Sequence, residues 1–152
     1  MLMKIISIME DTKKKPYSEM TIEELKVLAK KGDAKAQNKL GVCYAKGKGV
    51  RKNLKKAMEW YTKAAEQGEM GAQFNLAACY YRGDGVEQDM KKAVELYKKA
   101  AKQGNMWAQN NLGCCYHYGE GVRKNYKKAV EWFTKAAEQC DPKAIKGLEN
   151  LE

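Results

Sequence analysis

At 152 residues the chain has the length of a single domain. Its 29 Lys and Arg against 19 Asp and Glu leave a net charge of +10, and 32% of the residues are charged, so the surface is strongly solvated and basic. No apolar run approaches the ~18 residues of a membrane span, and five cysteines, an odd number, do not read as a disulfide framework.

The chain opens on an apolar stretch, residues 1–9, which Glu10 and Asp11 stop. A secretory signal would carry a longer apolar core and a small-residue cleavage site, so the expected location is cytoplasmic. Residues 1–17, with Lys13-Lys14-Lys15-Pro16, read as a flexible N-terminal tail. Thr21-Ile22-Glu23-Glu24 is a capping box that starts a helix.

A block of 36 residues then recurs three times. Ala36, Leu40, Tyr44, Gly47, Gly49, Val50, Ala57, Ala64 and Ala65 return as Ala72, Leu76, Tyr80, Gly83, Gly85, Val86, Ala93, Ala100 and Ala101. They return again as Ala108, Leu112, Tyr116, Gly119, Gly121, Val122, Ala129, Ala136 and Ala137. Such a period marks a solenoid, whose units bury their apolar faces against their neighbours.

Each unit reads as two helices. Ala36, Leu40 and Tyr44 step by four along a first helix, A, with Asp33 and Asn105 as N-caps in repeats one and three. Gly-x-Gly-Val, at residues 47–50, 83–86 and 119–122, breaks the helix and lets the chain reverse. Asn53, Asp89 and Asn125 cap a second helix, B, which carries Ala57, Tyr61, Ala64 and Ala65 on one stripe. Gly68 and Gly104 suit its left-handed C-cap. The full repeats are 33–68, 69–104 and 105–140. Leu25, Leu28, Ala29 and Gly32 align with Tyr61, Ala64, Ala65 and Gly68, which makes 21–32 a half-repeat of helix B. Asp141-Pro142 starts a last helix A, half-repeat 141–152, with Ala144 and Leu148 on the pattern. The expected fold is all-α, an α–α superhelix of antiparallel helix pairs over residues 18–152.

Cys43, Cys79 and Cys115 share one repeat position. Equivalent positions of stacked helix pairs lie about one helix diameter apart, roughly 10 Å, whereas a disulfide needs Cα atoms within about 7 Å. These cysteines read as small buried apolar residues.

The pattern from Ala36 to Ala65, Ala-x3-Leu-Gly-x2-Tyr-x2-Gly-x-Gly-Val-x5-Lys-Ala-x2-Trp-Tyr-x-Lys-Ala-Ala, resembles the Sel-1-like repeat, a relative of the tetratricopeptide repeat with a longer turn between its helices. The resemblance covers residues 21 to about 150. It implies an adaptor or scaffold that binds a protein or peptide. One branch of that family is secreted and cysteine-rich, with cysteines that would fall near Ala65 and Gln73 and near Ala101 and Gln109. None of the four is Cys here, which fits a reduced setting.

The resemblance also places helix A on the concave side. On the third helix A, Trp107, Asn110, Cys114, His117 and Tyr118 form one stripe by spacing. In repeat two the same face carries Gly71, Phe74, Ala78, Tyr81 and Arg82, and in repeat one Lys35, Asn38, Val42, Ala45 and Lys46. The candidate partner-binding residues are therefore Phe74, Ala78, Tyr81, Arg82, Trp107, Asn110, Cys114, His117 and Tyr118. A plainer reading packs Phe74 and Trp107 between adjacent helices A.

Helix B segments 51–67, 87–103 and 123–139 hold fifteen Lys or Arg and seven Asp or Glu, which carries +8 of the +10. Lys55-Lys56, Lys91-Lys92 and Lys127-Lys128 recur in register as a basic ridge. A solvated outer face explains them more simply than nucleic acid, since no nucleic-acid motif accompanies them. Cys114, Cys115, His117 and Cys140 lack the paired spacing of a zinc site, and no carboxylate orients His117, the only histidine. No catalytic residue, metal or cofactor is expected. A hydrolase, proposed for the cysteine-rich branch, is the alternative function, and electrostatic nucleic-acid binding a weaker one.

Overall fold

The computed structural model describes residues 1–12, 15–139 and 142–151. All regular elements among them are helices: α1 (Leu2–Thr12), α2 (Ile22–Lys30), α3 (Ala34–Lys46), α4 (Leu54–Glu66), α5 (Met70–Arg82), α6 (Met90–Lys102), α7 (Met106–Tyr118), α8 (Tyr126–Glu138) and α9 (Pro142–Glu149). Helices A are α3, α5, α7 and α9; helices B are α2, α4, α6 and α8. The chain packs as two compact units, Met1–Ala72 and Gln73–Glu152. Asp141 and Cys140, read above as a cap and a spare thiol, lie outside the described residues, as do Lys13 and Lys14.

In the first unit, α2 packs on α3 and α3 on α4. Leu25, Ala29, Ala36, Leu40 and Cys43 form its core, flanked by Tyr17, Met20, Leu28 and Tyr44. The Thr21 capping box forms in both directions, and Lys15 adds an ion pair to Glu24 at 2.9 Å. Together these hydrogen bonds and Lys15 hold the Glu24 carboxyl below its ordinary value. The segment expected as a tail is built otherwise. Residues 2–12 form α1, which packs on α2 and half-buries Ile5, Ile8 and Met9. Tyr17 turns inward and donates its hydroxyl to Asp33 at 2.8 Å. The apolar residues of 1–9 recur at helical spacing, and this is what a tail reading overlooks.

In the second unit, α6 packs on α7, α7 on α8, and α8 on α9. Phe133 of α8 is wedged between Gly113 of α7 and Gly147 of α9, so that a Cβ on either glycine would lie within 2.7 or 3.0 Å of its ring.

The A-to-B turn is built identically three times. Gly47, Gly83 and Gly119 take φ values of 69°, 76° and 79°, the left-handed region that favours glycine. The amide two residues past the helix reaches back to the carbonyl of Cys43, Cys79 or Cys115. The N-cap amide of the next helix then bonds the carbonyl of Tyr44, Tyr80 or Tyr116 at 2.9, 2.9 and 2.8 Å. Asn53, Asp89 and Asn125 cap helices B, and Asp33 and Asn105 cap helices A, as expected. In repeat two Glu69 takes the cap role, accepting from the Ala72 amide at 2.6 Å.

A second recurrent bond couples helices within each pair. Gln67, Gln103 and Gln139, at the ends of helices B, donate to the amide oxygens of Gln37, Gln73 and Gln109 at 2.8, 2.7 and 2.8 Å. Gln37 and Gln109 in turn donate to the carbonyls of Ala29 and Ala101 on the preceding helix B. A buried amide whose oxygen and nitrogen are both used avoids the desolvation cost of an orphan group.

Candidate functional site on helices A of the second unit

The nine candidate residues separate into three groups. The first is an aromatic row. Trp107 is 53% exposed and lies 6.2 Å, centroid to centroid, from half-buried Phe74. Phe74 is 6.0 Å from the buried ring of Tyr97, and Tyr97 is 6.4 Å from Tyr81. The three pairs are tilted, at interplanar angles of 41°, 45° and 56°, and so avoid the face-to-face sandwich that ring quadrupoles disfavour. Tyr81, Arg82, Tyr97, Asn111 and Cys114 line a depression of ≈ 250 Å³ beside the row.

Polar groups fix the rim. The Tyr81 hydroxyl donates to Glu120 at 2.6 Å, and this bond to a carboxylate raises its pKa above the usual phenol range. Arg82 pairs with Asp84 at 2.6 Å. Asn111 hydrogen-bonds the Tyr97 hydroxyl, while burial pushes that hydroxyl up to about 12. Tyr97, Asn111 and Glu120 were not among the sequence candidates. Tyr97 shares its position with Tyr61 and Phe133 and therefore reads as scaffold; no feature of the sequence places its edge at the pocket.

The second group is buried. Ala78 and Asn110 are enclosed, against the expectation of an exposed stripe. A stripe spaced by three and four covers a wide sector of a helix, and its inner edge faces a neighbouring helix. The Oδ1 of Asn110 is enclosed without a hydrogen-bond partner. The third group points elsewhere. His117 stacks edge-on with Tyr118 at 4.5 Å and with Tyr126 of α8 at 5.4 Å. His117, Tyr126, Lys127, Val130, Asn150 and Leu151 line a separate depression of ≈ 470 Å³.

The buried cysteines are ill-suited to nucleophilic chemistry. Cys43, Cys79 and Cys115 are buried, as their shared position predicts. Burial raises the Cys79 thiol and pushes Cys115 up to about 12, whereas a reactive cysteine has its pKa depressed. No group of three or more His, Cys, Asp or Glu among the described residues is placed to hold a metal ion. No helix among them is long and apolar enough to cross a membrane.

On the opposite helices the basic ridge divides in two. Lys56, Lys92 and Lys128 lie over the rings of Tyr44, Tyr80 and Tyr116 at 5.5, 5.3 and 5.3 Å. All six lysines, Lys55, Lys91 and Lys127 included, are exposed.

Antiparallel helix pairs of equal length, joined by identical turns and coupled by a recurrent glutamine bond, define a tandem helical-repeat protein. The family model described as the Sel1 repeat matches residues 34–69, 71–105 and 108–139, more than half of the chain. The chain belongs to the Sel1 repeat family. It resembles the structure of c5321, a protective antigen of uropathogenic Escherichia coli strains with an SLR fold, at 44% identity and a TM-score of 0.80, over 83% of this chain and 27% of that one. A Sel1 repeat protein from Oxalobacter formigenes is similar at 39% identity and a TM-score of 0.78, over 85% and 97%. Helicobacter pylori cysteine rich protein B is similar at 27% identity and a TM-score of 0.66, over 84% and 97%. A sel1-like repeat-containing protein, L18, of Acanthamoeba polyphaga mimivirus is 46% identical over 43 residues, 28% of this chain and 7% of the viral protein. The chain thus spans about a quarter of the E. coli antigen and far less of the viral protein. Proteins of this family are generally protein-interaction modules.

Proposed function

We propose that the chain is a non-enzymatic adaptor that binds a segment of a partner protein on the helix A face of its second unit. The observation that carries this reading is Trp107, an indole more than half exposed that lies in a tilted pair with Phe74. In repeat one the positions of Trp107 and Phe74 hold Lys35 and Asn38. The aromatic row is therefore an addition to the repeat, not a requirement of it. Rigid aromatic surface beside a pocket with polar rim groups is the composition of an interface anchor. The hydrolase alternative has no support in the relatives or in the buried thiols of Cys79 and Cys115, whose pKa values move the wrong way. Buried thiols and the absence of the branch-specific cysteines suit a reducing, cytoplasmic setting.

The test is selection of peptides from a displayed library on the wild-type chain, followed by titration against Trp107→Ala and Phe74→Ala. Selected peptides should lose about 2 kcal/mol or more of affinity to either variant while helicity is retained. Peptides that bind the variants as well as wild type, and that lose binding when Lys55, Lys91 and Lys127 are neutralised, would place recognition on the basic ridge instead.

A further inference from the structure

The three A-to-B turns share one backbone but not one charge. Where repeat one has Lys48, Arg51 and Lys52, repeat two has Asp84, Glu87 and Gln88, and repeat three Glu120, Arg123 and Lys124. Repeat two closes the same turn hydrogen bonds with acidic side chains, so the fold does not require the cations of repeat one. Between Asp33 and Glu59 stand eight Lys or Arg and no Asp or Glu. The first unit as a whole has sixteen Lys or Arg against nine Asp or Glu, which is +7 of the chain's +10.

These charges gather at a hollow. Tyr44, Val50, Arg51, Lys52, Asn53 and Lys56 line a depression of ≈ 500 Å³ at the start of α4, with three cations and no carboxylate among them. Lys46, Lys48 and Lys55 flank these residues in the chain and are exposed. Among the described residues no carboxylate pairs with any of these six cations. The acidic neighbours are Glu59, one turn beyond Lys55, and Glu19 and Glu23, close in sequence to Ile22, which lies against Gly49.

The matching positions of the other repeats are engaged internally. Asp84 holds Arg82, and Asp89 holds Lys92. Glu120 accepts from Tyr81, and Lys124 lies 4.8 Å over the ring of Tyr126, where repeat one has Leu54. In repeat one the like charges repel, a cost that an external anion relieves.

We propose that this hollow and its flanking lysines bind an acidic peptide segment, a run of Asp and Glu, of a partner protein. The surface belongs to the first unit, and its test does not depend on the aromatic row of the second. A run of carboxylates matches cations spread over the turn and the start of α4, which one phosphate could not all meet. Arg51 can hold a carboxylate by both oxygens, and the lysines act as point charges. Single-stranded nucleic acid fits poorly, because bases need aromatic faces to stack on. Tyr44 is the one aromatic residue between Asp33 and Glu59, and Lys56 lies 5.5 Å over its ring.

Fluorescence anisotropy of a labelled oligoglutamate, titrated with the full chain, tests this. The double variant Arg51→Glu with Lys52→Gln gives repeat one the residues of repeat two. Arg123→Glu with Lys124→Gln makes the same change of net charge in repeat three and serves as control. All four side chains are exposed, so circular dichroism should stay unchanged, and Lys48→Asp is a second site variant. Wild type should bind, and more weakly as salt rises through about 0.15 M, where screening sets in beyond about 8 Å. The repeat-one double should bind about tenfold or more weakly, and the control within about twofold of wild type. Equal losses in the two doubles would mean that the peptide reads net charge and not this site, and that overturns the proposal. So does a wild type that does not bind, or a site variant that binds like wild type. A short DNA duplex that binds more tightly than the peptide, and loses as much to the repeat-one change, overturns it in favour of nucleic acid.

Discussion

Gly113→Ala sets two known effects against each other. Gly113 lies inside α7, where alanine normally stabilises a helix by about 1 kcal/mol over glycine. Here the added Cβ would sit 2.7 Å from Cδ1 and Cε1 of Phe133 and 3.0 Å from its Cγ. The ring cannot withdraw freely, because Gly147 of α9 closes the far side with a Cβ position 3.0 to 3.2 Å from the same ring. Overpacking of this kind costs about 1–3 kcal/mol. The steric cost should win, and Gly113→Ala should destabilise by about 0.5–2 kcal/mol. Urea denaturation at constant m measures the change. Combining it with Phe133→Leu should recover part of the loss, which a double-mutant cycle reads as a coupling of about 0.5 kcal/mol or more. Repeat two holds Ala77 at this position, so the opposite outcome is concrete. If Gly113→Ala raises stability by about 1 kcal/mol, the helices and the Phe133 ring yield to the added methyl, and the notch is not a constraint.

Leu76→Ala should cost about 2–5 kcal/mol in chemical denaturation and Phe74→Ala less, since Leu76 is buried and Phe74 is half-exposed along the row. Gln109→Ala should cost about 1–3 kcal/mol, because it removes two hydrogen bonds, the one from the Gln139 amide and the one to the Ala101 carbonyl, which keeps the Gly104 amide; an unchanged midpoint would mean that water replaces both. Alkaline stability follows from Cys115, raised from 9.0 to about 12, and Tyr97, raised from 10.0 to about 12. Both groups stay neutral longer in the fold than in the unfolded chain, so stability is full below pH 9.0 and falls as pH rises towards 12. Cys115→Ala should flatten that fall, and an equally steep fall would assign it to other groups. Lys128→Gln should cost about 0.5–1 kcal/mol through the lost contact with Tyr116, while Lys127→Gln should cost nothing measurable by the same assay.

The repeat made most of the scaffold legible. Every cap predicted within the described residues is present, because Asp and Asn at a helix start have one dominant use. Glu69 escaped notice as a cap because glutamate is rarely read in that role. The glutamine bond was also written in the sequence, since Gln37, Gln73 and Gln109 recur in step with Gln67, Gln103 and Gln139; a search for apolar stripes passes over polar recurrences. The site was less legible. Helical spacing fixes which residues share a sector but not which edge of the sector meets a neighbour. That is why Ala78 and Asn110 are enclosed while Trp107 is open, and why His117 meets Tyr126 of α8.

Variation between repeats is not by itself a mark of function, and the helix B aromatics show how to discount it. Tyr97 carries a hydroxyl, and the next helix A supplies Asn111 to bond it. Phe133 carries none, and the next helix A supplies Gly147 to make room for its ring. Asn111 and Gly147 share a repeat position, so their difference is settled by internal pairing. The same accounting covers Tyr81, tied to Glu120, and Arg82, tied to Asp84. It does not cover Trp107. Its one ring neighbour among the described residues is Phe74, at 6.2 Å, and more than half of the residue is left in solvent. An apolar surface that no internal partner requires is where binding a second molecule gains most from the hydrophobic effect. Among the variable residues of the second unit's helices A, Trp107 and Tyr118, 53% and 66% exposed, are therefore the ones whose identity internal pairing explains least, and the proposed partner contact is to be tested there first.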